Sequence, residues 1–437
     1  MSPSDKKLKK WLTMDTASFL YSAMQREEYS MIFRFSAMME EEVKNDCLQS
    51  AIYKMKKRFP QFFFRIRKGV FWYYFEENKS PGPFVKEDVS DPCMPVRFNE
   101  DGGWLIRFFS YKKRISIEVF HAVADGLGAL TFFKTLLAQY LRECGYAIPN
   151  EKGVFDINEE PNPDEWEDAY SRYIGKYSRG LKLKKIVYNN IGTAEPFYTF
   201  NVTMGFIRPS QMKEAAAKYG CTVSEYLASV LIYILIQKQK SEGFYRQKPI
   251  SVSVPINLRA FFQTKTLRNF IQTVQVLVDP GLGEYSFNDI TKIVSAQMKL
   301  NSSQQMLRAH FTKNVKLQSN LFLKLIPIFI KDIVLKSRYA RDGVKSFSVL
   351  LTNVGVFKVP QEMQRHIRHM EAIQGQTTIP RPQVAIISYA DTMEITFSGT
   401  QKENDLEREF FRFLIKDGIA VKIESNRKAA IGKGEEN

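Results

Sequence analysis

The sequence is poor in the side chains that most often hold metals. Its 437 residues include four cysteines and four histidines. Cys47, Cys93, Cys144 and Cys221 are scattered, with no metal-ligand or redox spacing. That excludes a cysteine-based metal site and fits free thiols in a reducing cytoplasm. His366 and His369 are spaced i, i+3, but no carboxylate or cysteine cluster accompanies them, so they read as surface residues; His310 has no context. No apolar run approaches the length of a membrane helix. The nearest, Leu321 to Leu335, is broken by Lys324, Pro327, Lys331 and Asp332. The N-terminus is basic but has no apolar core or cleavage site, so no signal peptide is expected. No nucleic-acid-binding motif is present, the basic residues are dispersed, and no internal repeat is legible.

What is present is a chain too long for one ordinary core, which suggests two domains. Hydrophobic residues make up 44% and charged residues 25%, normal for a globular protein. The net charge of +16 is large. A basic solvated surface accounts for it most simply. A peripheral contact with an anionic membrane and the steering of an anionic, phosphate-bearing substrate are the alternatives.

Periodicity gives the organisation. The region from Glu28 to Ala37 reads as a strand and Glu42 to Lys57 as a helix, followed by Arg58-Phe59-Pro60 and strands Gln61 to Arg67 and Val70 to Glu76. Trp104 to Ser110 and Ile115 to Phe120 read as two antiparallel strands around the basic turn 111–114. Residues 150–168, rich in Asp, Glu, Asn and Pro, start a linker, and a basic stretch from Arg179 to Lys185 follows. In the second half, Phe200 to Ile207 reads as a strand, and Pro209 opens a helix ending near Gly220. Thr222 and Glu225 form a capping box before an apolar helix. Strands are expected at Ile250 to Pro255, Ile271 to Val278, Ser346 to Thr352, Val384 to Tyr389 and Met393 to Ser398. Helices are expected at Phe287 to Leu300 and Leu406 to Ile419. The lobes are therefore placed at 1–180 and 196–437, with a linker over about 150–195.

One run carries chemistry. In Phe120-His121-Ala122-Val123-Ala124-Asp125-Gly126 a histidine closes an apolar strand. After it the period becomes helical, with Leu127, Leu130, Phe133, Leu136, Leu137, Tyr140, Leu141 and Cys144 on one face. Such junctions hold functional side chains between rigid elements. An imidazole titrates near neutrality, so it can take a proton from a hydroxyl and return it to a leaving thiolate. The helix N-terminus favours a neutral ring and a developing oxyanion. Gly126 lets the backbone approach closely. The plainer alternative makes Asp125 an N-cap and His121 a buried, hydrogen-bonded histidine.

Three separated motifs occur in order: His121-x-x-x-Asp125-Gly126, Pro255-Ile256-Asn257-Leu258-Arg259 and Thr352-Asn353-Val354-Gly355. With the early helix and Arg58-Phe59-Pro60, the chain resembles the coenzyme A-dependent acyltransferase superfamily. That group includes chloramphenicol acetyltransferase, plant-type acyltransferases, wax ester synthases, peptide-synthetase condensation domains and alcohol O-acetyltransferases. Phe120 stands where condensation domains usually carry a second histidine, and the plant-type Asp-Phe-Gly-Trp-Gly signature is absent. The resemblance is therefore nearest the alcohol O-acetyltransferase branch. It implies an α/β fold of two chloramphenicol acetyltransferase-like lobes, each a mixed sheet flanked by helices, with a tunnel between them. It implies acyl transfer from acyl-CoA to a hydroxyl or amine of a small molecule, with His121 as general base and no covalent acyl-enzyme. Asp125 would brace the loop, with Arg259 as its candidate partner. Asn257 would support the channel wall, and Asn353 or the backbone near Gly126 would face the oxyanion. Acyl-CoA is expected as co-substrate, with no permanent cofactor, metal or nucleic acid, and the chain is expected to act as a monomer. The alternatives are a free-standing condensation-type enzyme using a carrier-protein thioester and a non-catalytic binding protein on the same fold.

Overall fold

A computed structural model describes residues 11–427 except 28, 179–185, 197–198, 244–246, 340–343 and 378. The basic stretch 179–185, residue 28 of the first expected strand and the tail beyond 427 lie outside the described residues.

The chain begins with β1 (Trp11–Thr13), α1 (Thr16–Met24), β2 (Ile32–Met39) and α2 (Asn45–Arg58). β3 (Phe64–Lys68), β4 (Tyr73–Glu77), β5 (Val85–Glu87), β6 (Ile106–Tyr111), β7 (Arg114–Phe120), α3 (Gly126–Glu143) and the single turn α4 (Ala169–Arg172) follow. The second half runs through β8 (Asn201–Ile207), α5 (Pro209–Lys218), α6 (Val223–Ser241), β9 (Ile250–Asn257), β10 (Ile271–Val278), α7 (Phe287–Asn301) and α8 (Gln304–Ser319). It continues with α9 (Leu321–Leu325), α10 (Ile328–Arg338), β11 (Val349–Val356), α11 (Gln361–Gln364) and β12 (Ile367–Gln374). β13 (Gln383–Tyr389), β14 (Thr392–Gly399), α12 (Asp405–Lys416) and β15 (Val421–Ser425) complete it.

The strands form a five-stranded sheet in the order β12-β2-β7-β6-β5, a seven-stranded sheet β10-β9-β11-β13-β14-β8-β15, and a three-stranded sheet β1-β4-β3. The result is the expected mixed α/β architecture, with two mixed sheets flanked by helices and a small antiparallel third sheet. Phe59 and Phe62, just after α2, pack on Phe132 of α3, and Phe132 meets Phe108 of β6. All four rings are fully buried, each contributing about 1.5–3 kcal/mol. A second core joins α6, α7 and α12 to the seven-stranded sheet. The capping box on α6 is present, with Thr222 and Glu225 exchanging hydrogen bonds.

Two features depart from the sequence reading. β12, on the C-terminal side of the expected lobe division, completes the N-terminal sheet by pairing antiparallel with β2, Met370 opposite Ala37. Pairing there covers an edge that would otherwise offer free backbone groups. His366, expected at the surface, is buried against the Tyr146 ring at 4.1 Å. His369 is partly buried with Nε2 3.2 Å from Glu371 Oε1. Among the described residues no group of three or more His, Cys, Asp or Glu side chains is placed to hold a metal. The apolar run 321–335 is divided between α9 and α10, and no single described helix is long and apolar enough to cross a membrane.

The start of α3 is one place where the two halves touch closely. A Cβ built on Gly128 would lie 2.0 Å from the Leu267 carbonyl oxygen. A Cβ on Gly126 would meet only Phe35 and Val354 side chains at 3.8 Å, an ordinary contact. The glycine that permits close approach is thus Gly128 rather than Gly126. Gly128→Ala is expected to cost about 1–3 kcal/mol through overpacking, while Gly126→Ala leaves thermal stability near that of the parent. Equal melting of the two variants would refute this reading of the junction.

Candidate active site

β7 ends at Phe120, and the chain turns through 121–124 before α3 begins. The His121 N–H donates to the Met31 carbonyl at 2.8 Å and the Val123 N–H to the Phe120 carbonyl at 2.9 Å. Ala122, Val123 and Ala124 are buried. Asp125 is extended at φ −82°, ψ 177° and caps α3, its Oδ1 accepting from the Gly128 N–H at 3.0 Å. It is therefore an N-cap, as the plainer reading had it, but it has further partners.

Its other oxygen reaches the second lobe. Oδ2 accepts from Arg259 Nη1 at 2.7 Å and from the Phe270 N–H at 2.8 Å. Asp125 is wholly buried, and a carboxylate in that position must be paired and fully hydrogen-bonded. Arg259 is itself held: Nε donates to the Thr266 carbonyl at 2.9 Å and Nη2 to the Arg268 carbonyl at 2.6 Å. Asn257, exposed at the end of β9, accepts from the Arg259 N–H at 3.0 Å and from Nη1 at 3.3 Å. Its observed work is to shape the turn that aims Arg259.

His121 is enclosed, and the residue as a whole is only partly buried. Tyr21 lies against it at 4.4 Å between centroids and Phe33 at 4.9 Å. Nδ1 is 3.2 Å from Asn269 Oδ1. The amide is oriented because Asn269 Nδ2 donates to the His121 carbonyl at 2.8 Å; the reverse orientation would set two oxygens against each other. With an acceptor facing it, Nδ1 carries the proton, and Nε2 keeps its lone pair. Burial pushes the ring's pKa down, opposed by the Asp125 charge, a hydrogen bond to its own backbone and Asn269. The neutral base is therefore favoured.

A second buried pair supports the same segment. Asp15 caps α1 by accepting from the Ser18 N–H at 2.8 Å and meets Arg268 Nη2 at 3.1 Å. Ser18 Oγ lies 2.7 Å from the Ala122 carbonyl. Residues 266–270 thus grip both helix starts, through Arg268 on α1 and through Leu267, Asn269 and Phe270 on the 121–128 turn.

The structure brings His121, Asp125, Gly126 and Arg259 together, with Asn257 behind Arg259. The Asn353 amide is engaged elsewhere: its Nδ2 donates to Ser224 Oγ at 3.0 Å and its Oδ1 accepts from the Gly355 N–H at 2.9 Å. Its neighbour Val354 is the one that approaches Gly126. Asn269 was not legible in the sequence, since it stands outside any periodic element or motif. A cleft of about 600 Å³ borders α1, lined by Ser22, Tyr73, Arg97, Asp332 and Lys336 among others. A cavity of about 680 Å³ near Arg142 and Asn150 lies apart from this chemistry. His121 lines neither, so neither supplies the expected tunnel.

No family model and no curated protein matches the chain. Solved structures do. Polyketide synthase associated protein 5 from Mycobacterium tuberculosis aligns over 92% of this chain and 96% of its own at TM-score 0.59 and 13% identity. F. graminearum TRI101, complexed with coenzyme A and T-2 mycotoxin, covers 94% and 99% at TM-score 0.61 and 12% identity. The first condensation domain of the CDA synthetase covers 94% and 99% at TM-score 0.56 and 14% identity. The chain shares the two-lobed mixed α/β fold of these structures. In this fold the Asp125 carboxylate ties the 121–128 turn to the second lobe, beside the Asn269 hydrogen bonds to His121. Asp125→Ala removes three hydrogen bonds and leaves the Arg259 charge without its partner. We expect a loss of about 3–5 kcal/mol in denaturant unfolding. Stability within about 1 kcal/mol of the parent would show that the pair does not tie the halves.

Proposed function

We propose that this chain is an acyltransferase that moves an acyl group from acyl-CoA to a hydroxyl or amine of a small acceptor. The observation that carries this is the Asn269–His121 hydrogen bond, which leaves Nε2 free of a hydrogen-bond partner among the described residues. Nε2 takes the acceptor's proton as the acceptor oxygen or nitrogen attacks the thioester carbonyl. The tetrahedral adduct collapses, the carbon–sulfur bond breaks, and the proton returns from Nε2–H to the thiolate. No acyl-enzyme forms, and Asp125 and Arg259 act as positioning residues. The start of α3, with Gly126 in its first turn, offers positive helix-end charge to the oxyanion. The net charge of +16 suits a phosphate-bearing donor. Both lobes come from one chain, which fits a monomeric enzyme.

A thiol-release assay with acetyl-CoA and longer acyl-CoAs against alcohols and amines tests the reading. His121→Ala should lose about 10²–10⁴-fold in rate with unchanged melting. The acid limb of kcat/KM should have its midpoint below the ordinary histidine value of about 6.5, because burial favours the neutral ring. Full activity in His121→Ala would exclude the proposed base. Transfer only from a carrier-protein thioester would favour the condensation-type alternative.

A further inference from the structure

α10 is apolar on both sides. Its inner face is occupied: Ile328 and Asp332 are buried, the Ile328 N–H donates to the Val70 carbonyl at 2.8 Å, and Asp332 accepts from Tyr73 at 2.7 Å. Its outer face carries Phe329 and Ile333, 59% and 63% exposed, with Ile330 and Val334 beside them. A helix covered on one side has no structural need for such a face on the other.

The patch extends in both directions. α9, preceding it, exposes Phe322 at 84% and Leu325 at 70%. Lys331 Nζ, 3.2 Å from the Lys324 carbonyl and 2.8 Å from the Phe71 carbonyl, joins α9, α10 and the β3–β4 tip. That tip exposes Val70 and Trp72. Contiguous apolar surface of this kind marks an interaction site. Its charge is one-sided. Residues 311–339 contain Lys313, Lys316, Lys324, Lys331, Lys336 and Arg338 against a single acid, Asp332. That acid is turned inward, to Tyr73 and to Lys68 at 2.8 Å.

We propose that α9, α10 and the β3–β4 tip form a docking surface for an anionic lipid bilayer. Apolar side chains with an interfacial tryptophan enter the headgroup region, and lysines contact anionic headgroups. The whole-chain charge of +16 draws the protein to the same surface. A second copy is disfavoured, because a two-fold contact would set these lysines against each other. Lys68, Tyr73, Asp332 and Lys336 also line the cleft beside α1, so the docking surface adjoins that cleft. This surface is independent of the proposed chemistry, and its test reads binding alone.

The full chain is sedimented with phosphatidylcholine vesicles and with vesicles mixing phosphatidylcholine and phosphatidylglycerol. Binding is expected to the mixed vesicles, weakening at least about tenfold at high salt. Phe329→Ser with Ile333→Ser should weaken it by about tenfold or more with unchanged melting and oligomeric state. Lys324→Glu with Lys336→Glu should weaken it by about fivefold per lysine or more. Absence of binding by the parent, or serine variants that bind like it, would overturn the proposal. So would a dimer in light scattering that the serine variants dissolve while vesicles stay unbound, or binding of an acidic carrier protein in place of vesicles.

Discussion

The buried carboxylate of Asp125 is the constraint on which the rest of the site depends. A charge in a wholly buried position persists only when every oxygen is satisfied. Here the partners come from two places: the Gly128 N–H on the same helix, and Arg259 with the Phe270 N–H from the second lobe. One group therefore caps α3 and ties the lobes. Gly128 makes room for this, because any side chain there would meet the Leu267 carbonyl.

That tie sets the histidine. Once residues 266–270 lie along the 121–128 turn, Asn269 reaches both the backbone carbonyl and the ring of His121. Tyr21 and Phe33 restrict the ring's plane, and the apolar surroundings lower its proton affinity. Packing, tautomer and pKa thus favour the same state, a neutral imidazole with an open Nε2. The parallel pair Asp15–Arg268 anchors the segment from its other side, linking α1 and its Tyr21 to the same five residues.

Much of this was legible in the sequence, and the reasons are local. The change from strand to helical period after Phe120 places His121 at a junction, and the limits of β10 and the capping box that starts α6 follow from periodicity and capping residues. Arg259 as the partner of Asp125 came from the order of three motifs resembling a known superfamily, since no spacing rule links residues 134 positions apart. Asn269 carried no signal, because its meaning comes entirely from what the folded chain sets beside it. Gly126 was favoured over Gly128 for the same reason: only a carbonyl from the other lobe distinguishes them. β12 was missed because Arg365 to Glu371 is rich in charge and does not alternate, although pairing with β2 buries half of it. Asn353 or the backbone near Gly126 was expected to face the oxyanion; the Asn353 amide is engaged by Ser224 and Gly355.

The central claim is that the lobes hold His121 as a neutral ring protonated on Nδ1. Nitrogen-15 NMR of imidazole-labelled protein, with His121 assigned by substitution, reads this state directly. At neutral pH the account predicts a protonated Nδ1 and a bare Nε2 that persist below the pH at which free histidine ionises. An Nε2–H tautomer, or a doubly protonated ring at pH 7, would contradict it.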